Sequence, residues 1–172
     1  CVPCPSGTVN GAGDLATQDD TLCDPVLCEA NQFVSANLCT ACPAGTTNPA
    51  GDDASGANTS CTATLCGVDQ FVSTSLCTAC PAGTTNPAGD DASGANTSCD
   101  VTLCLAGEFV STNVCVACAA GTTNAVGDDA SGADTSCDPT LCLANQFVSG
   151  NECTDCVGDS SNDAGDDASQ GD

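Results

Sequence analysis

The chain has 172 residues and a formal net charge of −23, with no Lys, Arg or His, which removes the cationic footprint that binds nucleic-acid phosphates or acidic membranes. Leu, Val and Phe together number 27 and Ile is absent, too few for an ordinary hydrophobic core in so acidic a chain. Eighteen cysteines supply the alternative, a disulfide scaffold that persists only in an oxidising compartment, extracellular, cell-surface or lumenal.

The cysteines lie on a lattice. They fall at 1, 39, 77, 115 and 153, at 4, 42, 80, 118 and 156, at 23, 61, 99 and 137, and at 28, 66, 104 and 142, so every series steps by 38 residues. The stretch CTACPAGTTNPAGDDASGANTSC at 39–61 recurs letter for letter at 77–99. A strict period of this size marks copies of one supersecondary unit, each contacting mainly its neighbours. The division is a partial first repeat at 1–27, repeats at 28–65, 66–103 and 104–141, and a partial last repeat at 142–172. Because the text begins and stops inside a repeat, it reads as a segment of a longer protein. The expected fold is a set of small disulfide-rich repeats, short β-hairpins and irregular loops stacked into an elongated rod, with almost no helix.

Taken in order, the first copy is the most divergent: Cys1, Cys4, Gly7, Thr8, Asn10, Gly13, Asp14 and Cys23 keep their places, but GDDASG is replaced by GDLATQ. From Cys28 the phrase CEANQFVSANLC begins, and it returns as CGVDQFVSTSLC, CLAGEFVSTNVC and CLANQFVSGNEC. An aromatic residue followed by a β-branched one suits paired strands, and Ser35-Ala36-Asn37 suits the turn of a hairpin. Phe33, Phe71, Phe109 and Phe147 are expected as a small core packed on a disulfide or on the next repeat. The Phe-Val patch is also the candidate surface for lateral self-association into a coat or fibre.

The second phrase opens with CxxC and continues Pro-Ala-Gly-Thr in two copies, Pro5-Ser6-Gly7-Thr8 in the first and Ala119-Ala120-Gly121-Thr122 in the fourth. Pro pre-sets φ and Gly accepts a positive φ, so tight turns are expected at Gly45, Gly83 and Gly121. The following GDDASGAN or GDDASGAD has no helical or alternating periodicity and reads as a loop running to the next cysteine. The last copy departs from this, with Val157-Gly158-Asp159-Ser160 in place of the turn. No apolar run is long enough to span a bilayer.

Three kinds of chemistry arise from these loops. Asp52, Asp53, Ser55 and Asn58, with Asp90, Asp91, Ser93 and Asn96, and Asp128, Asp129, Ser131 and Asp134, offer hard oxygen ligands for calcium, against the plainer reading of a solvated acidic loop. The spacing C-x2-C-x18-C-x4-C approaches that of a zinc ribbon, which needs reduced thiolates. Asn58-Thr59-Ser60 and Asn96-Thr97-Ser98 are N-glycosylation sequons, whereas position 134 is Asp and lacks one. Catalysis is excluded as a reading, because no imidazole or amine is present to activate a nucleophile and the carboxylate pairs have no pocket to separate their pKa values. No cofactor is implied beyond the candidate calcium.

Local cysteine pairing has three schemes that fit the lattice: sequential, interlaced and nested. Spacing leaves all three open. The order of an aromatic hairpin between two cysteines, then CxxCPxGT, then Asn-Thr-Ser-Cys resembles the cysteine-rich modules of tumour-necrosis-factor-receptor ectodomains. That resemblance implies Cys4 to Cys23, Cys28 to Cys39, Cys42 to Cys61, Cys66 to Cys77, Cys80 to Cys99, Cys104 to Cys115, Cys118 to Cys137 and Cys142 to Cys153, with Cys1 and Cys156 pairing outside the segment. The wording CPAGTTNPAGDDASGANTSC on a periodic lattice is similar to the immobilization antigens and related cysteine-repeat surface proteins of ciliates. This implies a secreted coat protein, commonly lipid-anchored outside such a segment.

The functional expectation is an extracellular structural protein that self-associates into a coat or fibre, with glycans and divalent cations as accompanying partners and no nucleic acid. Two other readings stand beside it: a ligand-binding or adhesive cell-surface ectodomain, and a calcium- or zinc-binding repeat protein.

Overall fold

A computed structural model gives the fold and describes residues 2–14 and 20–171. Most of the divergent GDLATQ stretch therefore lies outside the described residues, as does Cys1. The chain divides into two compact units, Cys1–Ala79 with Pro87–Ser98, and Cys80–Asn86 with Cys99–Asp172. Their boundaries cut through repeats rather than between them.

Each repeat is built from two strand pairs of unequal length. In the first unit the longer pair joins β3 (Gln32–Ser35) to β4 (Leu38–Ala41), and β7 (Gln70–Ser73) to β8 (Leu76–Ala79), with Val34 opposite Cys39 and Val72 opposite Cys77. Two residues link the strands, and both have positive φ: Ala36 at 52° and Asn37 at 61°, then Thr74 at 51° and Ser75 at 60°. Two successive left-handed residues define the turn whose twist matches that of paired strands. Such φ values strain a residue with a Cβ, so the turn needs outside support.

Strand alternation puts Phe33 and Val34 on opposite faces, and the structure covers the valine. Val34 and Val72 are 0 % exposed, Val72 packs with the buried Cys66 and Ala92, and Cys28 and Ala54 are buried likewise, while Phe33 and Phe71 are only half-buried. The expectation that Phe forms the core is thus corrected by one residue. The same fact removes Val from the candidate Phe-Val surface patch.

The short pair lies in the Pro-Ala-Gly-Thr phrase. β5 (Thr46–Thr47) pairs with β6 (Thr62–Ala63), bringing Thr46 opposite Ala63, and Thr64 N donates to Gly45 O at 2.9 Å. Pro43 O closes the preceding turn by accepting from both Thr46 N at 3.2 Å and Thr46 Oγ1 at 2.7 Å. Gly45 has a φ of 76°, as the expected tight turn requires. In the first copy β1 (Thr8–Val9) pairs with β2 (Asp24–Pro25) in the same manner.

The second unit repeats the plan. β9 (Thr84–Thr85) pairs with β10 (Asp100–Val101), and β13 (Thr122–Thr123) with β14 (Asp138–Pro139). The hairpins are β11 (Glu108–Ser111) with β12 (Val114–Ala117), and β15 (Gln146–Ser149) with β16 (Glu152–Asp155). Phe109 is half-buried and Phe147 is 41 % exposed. Helix among the described residues amounts to one 3-10 turn, Ala168–Gln170, and none is long and apolar enough to cross a membrane.

Among the described residues eight disulfides close these elements, joining Cys4–Cys23, Cys28–Cys39, Cys42–Cys61, Cys66–Cys77, Cys80–Cys99, Cys104–Cys115, Cys118–Cys137 and Cys142–Cys153. The hairpin bridges span 11 residues and the loop bridges 19. Each ties off a loop worth about 3 kcal/mol by chain entropy, in repeats whose apolar centre is one Cys, one Val and one Ala.

Candidate functional site

The acidic loop and the sequon beside it are polar constellations that recur among the described residues, and the structure assigns their members different tasks. Asp52 and Asp53 are adjacent in sequence but not in partners. Asp52 Oδ2 accepts from Asn48 Nδ2 at 2.7 Å and from Thr59 Oγ1 at 2.5 Å. Thr59 Oγ1 in turn accepts from Val34 N at 2.9 Å, and Asn48 Nδ2 also donates to Gln32 O at 2.8 Å. One carboxylate therefore links the loop to the edge of the hairpin, and its own backbone carbonyl accepts from Cys28 N at 2.8 Å.

The same set recurs as Asn124, Asp128 and Thr135, and in the divergent first copy as Asn10, Asp14 and Thr21. In the last copy Asn162 Nδ2 donates to Asp166 Oδ2. The Thr59 and Asn48 hydrogen bonds hold the Asp52 carboxyl below the usual carboxylate range, and those from Thr135 and Asn124 do so for Asp128.

Asp53 faces its own backbone instead. Its Oδ1 accepts from Ser55 N at 2.8 Å and Ser55 Oγ at 2.7 Å, the side-chain turn that Asp-x-Ser favours. Asp91 with Ser93, Asp129 with Ser131 and Asp167 with Ser169 repeat it. The Ser hydroxyl first and the Ser backbone N–H second lower the carboxyl pKa at Asp53, Asp91, Asp129 and Asp167. Between the two lies the buried Ala54, which fixes the loop: its N donates to Val26 O at 2.9 Å and its O accepts from Asn37 Nδ2 at 2.9 Å.

Ala54 also receives the preceding copy. A Cβ placed on Gly7 would lie 2.3 Å from Ala54 O, and one on Gly45 would lie 2.2 Å from Ala92 O. In the second unit Gly83 meets Ala130 and Gly121 meets Ala168 at the same 2.2 Å. The turn glycine thus serves a positive φ and a backbone-to-backbone contact that no side chain fits.

The fourth candidate ligand is also engaged. Asn58 Oδ1 accepts from Ala36 N at 3.0 Å, Asn96 Oδ1 from Thr74 N at 3.0 Å, and Asp134 Oδ1 from Thr112 N at 2.8 Å. These bonds supply the support that the strained hairpin turns need.

For calcium, each proposed ligand is thus committed to a separate internal bond: Asp52 to Thr59 and Asn48, Asp53 to Ser55, and Asn58 to the hairpin turn. Among the described residues, the only group of three Cys, Asp or Glu side chains whose ligand atoms lie within 4.8 Å of one another is Cys104, Glu108 and Cys115. Its two cysteines are bonded to each other. Zinc needs thiolates, and among the described residues Cys156 alone is a free cysteine. Sequence reasoning missed the structural use of Asp53, although the Asp-x-Ser spacing signals it. It also missed Asp52, whose partner Thr59 lies seven residues on.

No family model, no curated protein and no solved structure matches this chain.

Proposed function

We propose that this chain is an extracellular structural protein whose tandem disulfide-stapled repeats form a cell-surface coat or an extracellular fibre. The observation that carries the reading is the substitution of covalent closure for a core: eight bridges recur at fixed spans, around a buried centre of only small residues. Such a chain keeps its form outside the cell, where dilution and proteases unfold marginal domains. With no Lys or Arg anywhere, trypsin-like proteases have no cleavage point.

The near-identical copies favour a repeated mechanical role over a single ligand site, which would differentiate one repeat from the rest. The resemblance of CPAGTTNPAGDDASGANTSC on its periodic lattice to ciliate immobilization antigens is in keeping with display as a coat, with self-association between chains. Net charge of −23 then requires divalent cations or spacing between neighbouring chains, since like charges repel within about 8 Å at physiological salt.

The test is alkylation of the natively isolated protein without reduction, read by intact mass, together with antibody labelling of unpermeabilised cells. A continuous surface or extracellular signal, with the sixteen paired cysteines unmodified, is the expected result. Widespread alkylation, or a signal only after permeabilisation, overturns the reading.

A further inference from the structure

The sequon asparagines Asn58 and Asn96 use one end of their amide and leave the other idle. Oδ1 accepts the turn N–H of Ala36 or Thr74, while Nδ2 makes no hydrogen bond to any described residue. Both side chains are exposed, and Ser60 and Ser98, which supply the third-position hydroxyl of each sequon, are exposed and make no side-chain hydrogen bond among the described residues.

The fourth copy shows that this division is real. There Asp134 replaces the asparagine and keeps the bond to Thr112 N at 2.8 Å, so the turn requires an acceptor oxygen and nothing from the nitrogen. Thr59, the middle residue of the sequon, is tied to Asp52 and fixes the backbone on which Asn58 sits.

We propose that Asn58 and Asn96 are N-glycosylated, with the sugar on Nδ2 and the hairpin cap on Oδ1 retained. The donor class is a polyprenyl-pyrophosphate oligosaccharide. The Nδ2–C1 bond forms as the C1–O bond to pyrophosphate breaks, the lipid pyrophosphate leaves, and the amide proton passes to the transferase or solvent, with no redox change. The modified amide still presents its carbonyl to Ala36 N, so the glycan is compatible with the fold. It shares with the coat reading only the secretory route.

The test uses the full chain secreted through a eukaryotic endoplasmic reticulum, with intact mass read before and after peptide-N-glycosidase digestion in heavy-oxygen water. The native chain is expected to carry an oligosaccharide on Asn58 and another on Asn96. Each site reads out as a heavy-labelled Asp after digestion. Ser60→Ala and Ser98→Ala, which leave both asparagine caps in place, each remove one oligosaccharide. Asp134→Asn, which completes Asn-Thr-Ser in the fourth copy, adds a third. An unmodified native chain with its eight bridges intact overturns the proposal and leaves the coat reading standing. Sugar that survives the double Ser variant, or a fourth copy that stays bare as Asp134→Asn, also overturns it.

Discussion

The two halves of a repeat hold themselves together by different means. The hairpin half, 28–41, is a four-residue strand pair closed over Val34 by a bridge whose Cys28 is 2 % exposed. The loop half, 42–65, has a two-residue strand pair, a half-exposed bridge, a single small buried side chain, Ala54, and a carboxylate, Asp52, that accepts from Asn48 and Thr59. Burial dominates the first half, and hydrogen bonds to charged groups hold most of the second. The lesson is that small repeats can divide the work, using apolar atoms where two strands already meet and acidic ones where the chain is irregular.

The largest test of that division removes one bridge at a time. Chain entropy alone favours the longer loop, about 3.3 kcal/mol for 19 residues against about 2.8 for 11. Burial reverses the order. Replacing Cys28 and Cys39 by Ser places a hydroxyl in the core at position 28 and is expected to cost about 4–5 kcal/mol, against about 3 for Cys42 and Cys61. Hydrogen exchange at amides within the β3–β4 pair and within the β5–β6 pair measures the two losses, and equal losses would erase the distinction between the halves.

A smaller effect is expected from Gly45→Ala. Its Cβ meets Ala92 O at 2.2 Å and its φ is 76°, so strain and overpacking together should cost about 2–3 kcal/mol in the following repeat. Gly56→Ala is the control: its Cβ approaches Asp53 O at 3.2 Å with φ outside the left-handed region, and the loss should stay under about 1 kcal/mol. The measurement is local exchange protection of Cys66 and Ala92.

The smallest effect is the acid response of the loop half. Asp52, Asp53, Asp91, Asp128, Asp129 and Asp167 have folded pKa values below their ordinary ones. Their contribution is therefore full above the unfolded value of about 3.9 and is lost as pH falls through the folded value. Repulsion between carboxylates has the opposite sign, so the titration belongs in 1 M salt, where the screening length is about 3 Å. Loop amides such as Ser55, which donates to Asp53 Oδ1 at 2.8 Å, should lose protection below about pH 4 before amides within the β3–β4 pair, such as Thr40, do. Simultaneous loss would show that the carboxylates do not hold the loop separately.

Much of the scaffold was legible from the text. The 38-residue lattice announced repeats, the Phe-Val phrase announced hairpins, and Pro-Ala-Gly-Thr announced its turn. The short strand pair β5–β6 was not legible, because two residues carry no alternation to detect. Nor was the choice of Val34 over Phe33 for the core: alternation places them on opposite faces, and which face is covered depends on a segment about twenty residues away that contains Ala54 and Thr59. The acidic loop was ambiguous for a related reason. An Asp reads alike whether its partner is a cation or a threonine hydroxyl, and only the folded path of the loop brings Thr59 to Asp52.

The contact between a turn glycine and the alanine one copy ahead bears on how such a gene changes length. Gly45 and Ala92 lie 47 positions apart, as do Gly7 and Ala54. An unequal crossover that inserts or deletes a whole 38-residue period restores this register at the junction, since each period brings one glycine and one alanine. Any other insertion there breaks it. The identical runs at 39–61 and 77–99 show two neighbouring copies meeting this register with the same residues, so a whole added period needs no new kind of contact at the turn glycine.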